Sequence, residues 1–382
     1  MELSWDDVRR HRLWRHRLLE QAPAEGLVQV VGEVCGIHAQ LLPAAELSIG
    51  VRLGLTRSQV RAALWEERRL VRTYGIRGTI HLFPAPELPL WMAALRARAE
   101  SAAAEEGRRL ENLGLDGAQV TELIQAIAAA LDGRVLTLRD LGEQVVGRTG
   151  AWAAESRNQA WVGGWPNWRM ALGAAARAGA LCFGPNRGPE VTFVRPDQWL
   201  GGWHEADPEA ALREVFRRYL RAYGPAAPGH FAQWFSLPSP AARALAGGLG
   251  DELVRVRVEG EPFLFLRDQL ETRPPSDSSV RLLPHFDCYL RGFHPRPQLV
   301  GPHGRRAAGG TGQFPVLLVD GMVAGIWERR QRGRRLQVRV EPFGRLTARL
   351  RRALEGEAAR IGAVLEAEPE LSIGPVEVRA HL

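Results

Sequence analysis

Between residue 29 and about residue 266 the chain runs three times through the same order of local signals: helix, turn, second helix, then two short strands punctuated by glycine and proline. Such a recurrence constrains the fold strongly, because one small unit cannot bury its apolar face alone and must stack on its neighbours. In the first copy, about 29 to 85, Ala44 to Leu53 reads as a helix. Thr56 or Ser58 caps a second from Gln59 to Leu70, with Val60, Ala63, Leu64 and Val71 at helical spacing. VRTYGIRGTIHLF then turns extended around Gly75 and Gly78. The second copy, about 135 to 197, has Thr137 capping LRDLGEQVV, a helix from Trp165 to Ala178, and the hairpin LCFGPNRGPEVTFV. The third starts at Ala210 with the amphipathic ALREVFRRYLRAY, continues through a short helix from Pro228 to Phe235 and SPAARALAGGL, and ends in LVRVRVEGEPFLFL. This is the pattern of a winged helix-turn-helix.

Past the linker RPPSDSS the character turns β-rich, with an Asp-Gly hairpin turn in VDGMV. Residues 276 to about 345 read as a small barrel or sandwich, closed by a helix from Gly344 to Glu366, with VEVRA as a last strand. One or two long helices in 86–130 bridge the first two units. With 382 residues, too many for one core, two to four modules are expected. The predicted fold class is α+β: three tandem winged helix-turn-helix modules followed by a small C-terminal β-barrel, divided as 1–130, 131–204, 205–275 and 276–382.

Composition removes several functional classes. No apolar run approaches a membrane span, and MELSWDDVRRHRLWRHRLL lacks a signal core, so no membrane partner is expected and the location reads as cytoplasmic. Cys35, Cys182 and Cys288 lie far apart with no CxxC and read as reduced, buried thiols. His230, His294 and His303 show no metal-binding spacing. There is no GxGxxG on a strand-to-helix turn and no GxxxxGK[ST], so neither metal nor cofactor is expected. A net charge of +7 and a pI near 10.2 favour a polyanionic partner. All 50 basic residues counted as Lys or Arg are arginine. Cleavage through a Schiff base therefore has no lysine amine to use, only the amino terminus.

In GIHAQLLP, two polar side chains, His38 and Gln40, stand in an apolar run that ends at Pro43. On a helix they would diverge, and Pro43 disfavours helix at Leu42, so the backbone here reads as irregular or as a helix end. Such a backbone can bring both side chains to one cleft, although they could equally satisfy stray backbone groups. Arg77, Thr79 and His81 alternate along one wing strand and point together, towards a lesion, a phosphate or a partly buried sheet face. Arg329, Arg330, Arg332, Arg334 and Arg335 surround Gly333 in WERRQRGRRLQVRV, a hairpin whose tip can enter a groove or simply keep the sheet edge solvated. The basic helix VRRHRLWRHRLL reads as packed, with a solvated face. In LPHFDCY a strand would place His285 and Asp287 on one face, and the aspartate is better suited to anchoring a turn than to catalysis. Winged helices bind duplex DNA or serve as protein scaffolds, so fold alone leaves both open.

The stretches GIHAQLLPAAE, RGTIHLFPAPEL, YLRAYGPAAPGHFAQW, LLPHFDCYLRGF and VLLVDGMVAGIWERR together resemble the AlkZ/YcaQ-like family of bacterial winged-helix DNA glycosylases over nearly the whole chain. The resemblance implies three winged helices and a C-terminal barrel wrapped around DNA, with the catalytic motif on His38-Ala39-Gln40. That motif departs from the family's usual glutamine at its first position. Gln40 is similar to the glutamine-ending branch linked to self-resistance against DNA-alkylating antibiotics. The implied activity is hydrolysis of the N-glycosidic bond of bulky 7-alkylguanine adducts. His38 and Gln40 would hold the attacking water, and His38 would accept a proton if it titrated near 6.5. With no lysine, the enzyme is expected to be a monofunctional glycosylase. Arg77, Thr79, His81, Arg291, Arg329, Arg330, Arg332 and Arg334 form the expected DNA-contacting set. The expected partner is double-stranded DNA carrying alkylated guanine, bound by a monomer. The rival reading is a non-catalytic winged-helix regulator or a protein that sequesters drug-bound DNA.

Overall fold

Helix capping and strand pairing place most of these segments where the sequence patterns put them. The computed structural model describes residues 1–112, 114–156, 164–304, 306 and 312–377. Thr56 accepts the Gln59 amide and Gln59 returns a bond to the Thr56 amide, opening the helix Arg57–Trp65. Thr137 caps Leu138–Thr149 by a single bond, its hydroxyl oxygen accepting the Asp140 amide. The first of these helices ends five residues earlier than its apolar spacing suggested, because Leu70 already pairs with Pro84 in a strand. Trp165 to Ala178 is not one helix but two short ones, Asn167–Met170 and Leu172–Arg177. The bridge after residue 86 holds three helices, Leu88–Ser101, Ala103–Asn112 and Gly117–Ala130.

Three small sheets each have three strands. In the first, Ile37–His38 pairs antiparallel with Ile80–Pro84, which pairs with Leu70–Tyr74. In the second, Leu136–Thr137 joins the hairpin Cys182–Arg187 and Glu190–Val194. In the third, Leu253–Val258 and Glu261–Leu266 take their outer strand from the start of the chain: Glu2–Leu3 lies parallel to Arg257 and Val258. The helix Trp5–Arg15 follows that strand onto the third unit, where Trp5 and Val8 pack with Val258. Its basic residues are not all solvated. Arg12 is fully buried, donating to the carbonyls of His294 and Pro225 with its guanidinium 4.3 Å from the Phe293 ring centre.

The expected barrel is an open five-stranded sheet, ordered Val280–Leu283, Val316–Val319, Met322–Arg332, Arg335–Pro342 and Glu368–Ile373. Its edge strands do not meet; the helix Ala348–Leu365 packs against both and fills the gap. The last strand is thus EPELSI. Of VEVRA, Val376 and Glu377 are not in a strand, and the rest lies outside the described residues. Asp320 and Gly321 take φ of 50° and 80°, the left-handed pair that a tight Asp-Gly hairpin requires.

The helix Leu42–Leu53 ties these parts together. It is buried all round from Ala44 to Leu53, with Ala45, Ile49 and Leu53 in a core shared by the first two units and Leu47 and Val51 in the core of the five-stranded sheet. The closing helix crosses it closely at Gly50, where an added Cβ would lie 2.3 Å from Val364.

Candidate active site between the first sheet and the Phe286 turn

Pro43 opens a helix rather than closing one. Leu42–Leu53 starts just before it, and the first-turn amides have no helical acceptor, so a missing N–H costs nothing there. The residues upstream are therefore extended. His38 pairs with His81, the Ala39 amide donates to Ile80 at 2.7 Å, and Arg72 donates to the Ala39 carbonyl at 3.3 Å. The strand itself ends at His38, and the chain bends at Gln40, two residues on. Their surroundings differ. Gln40 is exposed, and its Oε1 accepts the Ile80 amide at 3.4 Å, a long contact of the backbone-satisfying kind. His38 is only 7% exposed, and its buried Nδ1 has no hydrogen-bond partner among the described residues.

The His38 ring lies 5.2 Å from His81, edge to face, and 4.8 Å from Phe286. Burial depresses its pKa to about 2, with His81, Arg291 and Arg77 adding repulsion. His81 is pushed to about 4, again mainly by burial and partly offset by its Nδ1 contact with the Thr79 carbonyl at 3.1 Å. The imidazole at 38 is therefore neutral at physiological pH and a weak base, which corrects the expectation that it takes up a proton near 6.5. Gly75 makes room for this arrangement: an added Cβ would meet the Phe83 ring at 2.8 Å and His81 Nδ1 at 3.0 Å.

Arg77 and Thr79 do not alternate with His81 along a strand. The strand starts at Ile80, and Arg77 sits in the preceding turn with φ 59°, exposed, while the Thr79 hydroxyl donates to the Ile76 carbonyl inside the same turn. Arg77 nonetheless remains electrostatically coupled to the site, since it bears on His38, His81, His294, Arg291 and Arg296. Burial lowers Arg291 and Arg296 to about 10, with repulsion from Arg77 and Arg296 added at Arg291 and from Arg77 at Arg296. Arg77 and Arg291 of the expected set thus both bear on the His38 imidazole, and Arg296, which sequence reasoning missed, donates to the Arg291 carbonyl at 3.0 Å.

LPHFDCY is a strand end, a turn and a helix, so His285 and Asp287 share no strand face. Phe286, at φ 58°, is the non-glycine residue that the turn forces into the left-handed region. Asp287 holds that turn. It caps the helix Cys288–Gly292 through the Tyr289 amide at 2.9 Å, accepts the Ser48 hydroxyl at 2.7 Å and takes two bonds from Arg52 at 2.7 and 2.8 Å, all fully buried. Burial alone would raise this carboxyl, but Arg52 and the other donors hold it below the usual range. The clamp locks the Phe286 turn to the helix that follows Gln40. No spacing in the sequence pairs residues 235 positions apart.

The arginine hairpin lies elsewhere on the five-stranded sheet. Alternation sends neighbouring residues to opposite faces, so Arg329 and Arg330 part company: Arg329 is half-buried near Arg57 and Glu46, whereas Arg330 lies beside Gln337 and Arg339 on the other face. Arg332, Arg334 and Arg335 are exposed at the Gly333–Arg334 turn, and Arg334 lies 3.5 Å from Glu368. Among the described residues no group of three or more His, Cys, Asp or Glu could hold a metal ion, and no helix is long and apolar enough to cross a membrane.

Comparison with known proteins gives concordant matches. The family model for DNA glycosylase AlkZ-like proteins matches residues 31–364. A Streptomyces sahachiroi protein described as an interstrand DNA cross-link repair glycosylase is 33% identical over 373 residues, spanning 94% of this chain and 96% of that protein. The solved structure of Streptomyces sahachiroi DNA glycosylase AlkZ matches with a TM-score of 0.81 at 32% identity, covering 98% of this chain and 100% of that one.

Proposed function

The chain belongs to the AlkZ-like DNA glycosylase family, and from that premise we propose that it is a monofunctional glycosylase hydrolysing bulky 7-alkylguanine adducts in duplex DNA, in repair or in self-resistance to an alkylating antibiotic. We read its three helix-and-sheet units as tandem winged helices acting in a monomer. The observation that carries the site assignment is a buried imidazole nitrogen at His38 with no hydrogen-bond partner among the described residues, two positions from the exposed amide of Gln40. A buried ring nitrogen of this kind is suited to exchanging a hydrogen bond with a ligand or water. The relative's description as a cross-link repair glycosylase supports adducts larger than a methyl group.

A guanine alkylated at N7 is already cationic and leaves readily, so the protein must chiefly place water at the sugar carbon and avoid opposing the positive charge that develops there. A protonated His38 would oppose it. Burial and the neighbouring arginines keep the ring neutral, so it can accept a hydrogen bond from water without becoming charged. Gln40 supplies the second acceptor through its amide oxygen. Arg77 and Arg291 would themselves disfavour a nearby cation unless each faced a phosphate, which suits them to gripping the backbone beside the lesion.

Single-turnover incubation with a duplex carrying 7-alkylguanine tests this reading. The expected result is release of the free base, with strand breakage only after alkali. His38→Ala with Gln40→Ala should slow release at least about 100-fold while duplex affinity holds. Wild-type rates in that double variant would remove the site assignment, breakage without alkali would remove the monofunctional assignment, and tight binding without release would favour the sequestering protein.

A further inference from the structure

The Ala39 carbonyl lies between the two side chains of the candidate motif, just past the point where the strand Ile37–His38 ends, so no strand ladder holds it. Arg72, 33 positions further on, holds it instead, donating from Nη2 at 3.3 Å. Arg72 stands on the strand Leu70–Tyr74, which pairs with Ile80–Pro84 and not with Ile37–His38, so its side chain crosses the middle strand to reach the motif. We propose that Arg72 is a positioning residue for base release: its guanidinium fixes the peptide group that joins Ala39 to Gln40, and through it the direction of the Gln40 amide. The proposal rests on the glycosylase reading above and adds a residue that acts through the motif rather than on the substrate.

Arg72 is only 7% exposed, and among the described residues it forms no ion pair. Glu46, the carboxylate that bears on it, is itself bonded to Arg61 at 2.6 Å. The Arg72 Nε is buried with no hydrogen-bond partner among the described residues. A guanidinium placed so costs stability, and a well-packed apolar side chain would serve a plain core better. What the arginine supplies is a fixed direction. Its Cζ lies 4.6 Å over the ring centre of Phe183, a residue of the second unit's hairpin that is backed by Phe193 at 4.9 Å. A planar group held over a fixed ring has little freedom to swing, so its N–H groups point at one place. Ile80 closes the same stretch from the neighbouring strand: its carbonyl accepts the Ala39 amide at 2.7 Å, and its amide donates to Gln40 Oε1 at 3.4 Å. The second of these bonds is long, so the Gln40 amide depends on how the peptide before it is held. Attack on the sugar carbon needs water placed to within a fraction of an ångström, so a loosened Gln40 slows the chemistry more than it weakens duplex binding.

Two variants test this. Arg72→Met keeps a long stem and removes the donors, whereas Arg72→Lys keeps a donor and the charge without the planar group. For each, three quantities are read: single-turnover release from a duplex carrying 7-methylguanine, affinity for that duplex, and hydrogen exchange at the Ala39 and Ile80 amides. Arg72→Met should slow release at least about 10-fold with affinity unchanged within about twofold. Its Ala39 and Ile80 amides should exchange at least about 10-fold faster, while those of Leu253–Val258 in the third sheet keep their wild-type rates. Arg72→Lys should bring release back to within about threefold of wild type. A merely structural role gives a different pattern, in which the third-sheet amides quicken together with Ala39 and Ile80. That pattern overturns the proposal, as do failure of Arg72→Met to fold, wild-type release by Arg72→Met, or release by Arg72→Lys no faster than by Arg72→Met. If wild type itself releases no base, the glycosylase reading fails, and exchange at Ala39 and Ile80 still decides whether Arg72 holds the motif.

Discussion

Replacing Arg52 with methionine keeps a long side chain of similar bulk in the helix and deletes the guanidinium that faces Asp287. In the native protein the carboxylate receives five hydrogen bonds, two from Arg52, one each from the Ser48 hydroxyl and the Tyr289 amide, and a long one from the Cys288 thiol at 3.9 Å. Arg52→Met leaves the Ser48, Tyr289 and Cys288 donors and an uncompensated charge, with both original side chains wholly inaccessible to solvent. Breaking a buried pair by removing one partner costs about 3–5 kcal/mol. With a urea dependence of about 3 kcal/mol per molar, the midpoint should fall by more than about 1 M. The pH dependence is specific to this cause. Wild-type Asp287 is held below the ordinary carboxylate pKa, so its contribution is present above pH 4 and is lost only as pH falls through its lower native value. In the variant the stranded carboxyl is raised, so proton uptake on acidification relieves it, and the deficit relative to wild type should narrow between pH 7 and pH 5. Adding Asp287→Asn should recover a large part of the loss by removing the buried charge. Urea unfolding followed by circular dichroism, with hydrogen exchange at the Tyr289 amide as a local probe, reads both quantities. A loss below about 1 kcal/mol at pH 7, or a deficit unchanged at pH 5, would show that the clamp does not hold the Phe286 turn as argued.

The single-turnover rate should stay flat from about pH 5.5 to 8, since His38 is neutral throughout with a pKa near 2; a rate falling with an apparent pKa near 6.5 would restore a proton-accepting histidine. Stability behaves differently: His11, His81 and His294 bind protons near 4, 4 and 3 when folded but near 6.5 when unfolded, so acidification below 6.5 favours the unfolded chain, by up to about 1.4 kcal/mol per pH unit for each. Thermal melts from pH 7 to 5 check this, and an unchanged midpoint would contradict it. Gly75→Ala should destabilise by about 1–3 kcal/mol and slow base release, because its Cβ would displace the Phe83 ring and His81; unchanged activity would mean that His81 has no part in shaping the site. Arg332→Gln with Arg334→Gln should weaken binding to every duplex alike and reduce the slope of log affinity against log salt by about 2, whereas an unchanged slope would place the hairpin tip away from DNA.

Much of the architecture was readable because its signals are local. Thr56 and Thr137 announce helix starts three residues in advance, Asp320-Gly321 announces a hairpin, and the LVRVRV and FLFL runs pair as their alternation requires. The same locality explains the misreadings. Pro43 is compatible with either end of a helix, and only the pairing of His38 with His81 shows which end it marks. Arg77 alternates with His81 in the letters, but a left-handed residue in the turn breaks the period. The candidate motif could be found as an unusual pair of polar residues, and its likeness to a known family said what to look for. Its environment could not. The first outer strand of the third sheet comes from residues 2 and 3, the Phe286 turn is fastened to Arg52, and Arg291 bears on His38 across a long stretch of sequence. Sequence alone determined which segments fold into which elements, and which side chains could handle water, because dihedral preference and side-chain chemistry belong to each residue and its near neighbours. Tertiary structure decided that His38 is neutral and that Gln40, two residues on, faces solvent, because desolvation and long-range charge exist only once distant segments have packed.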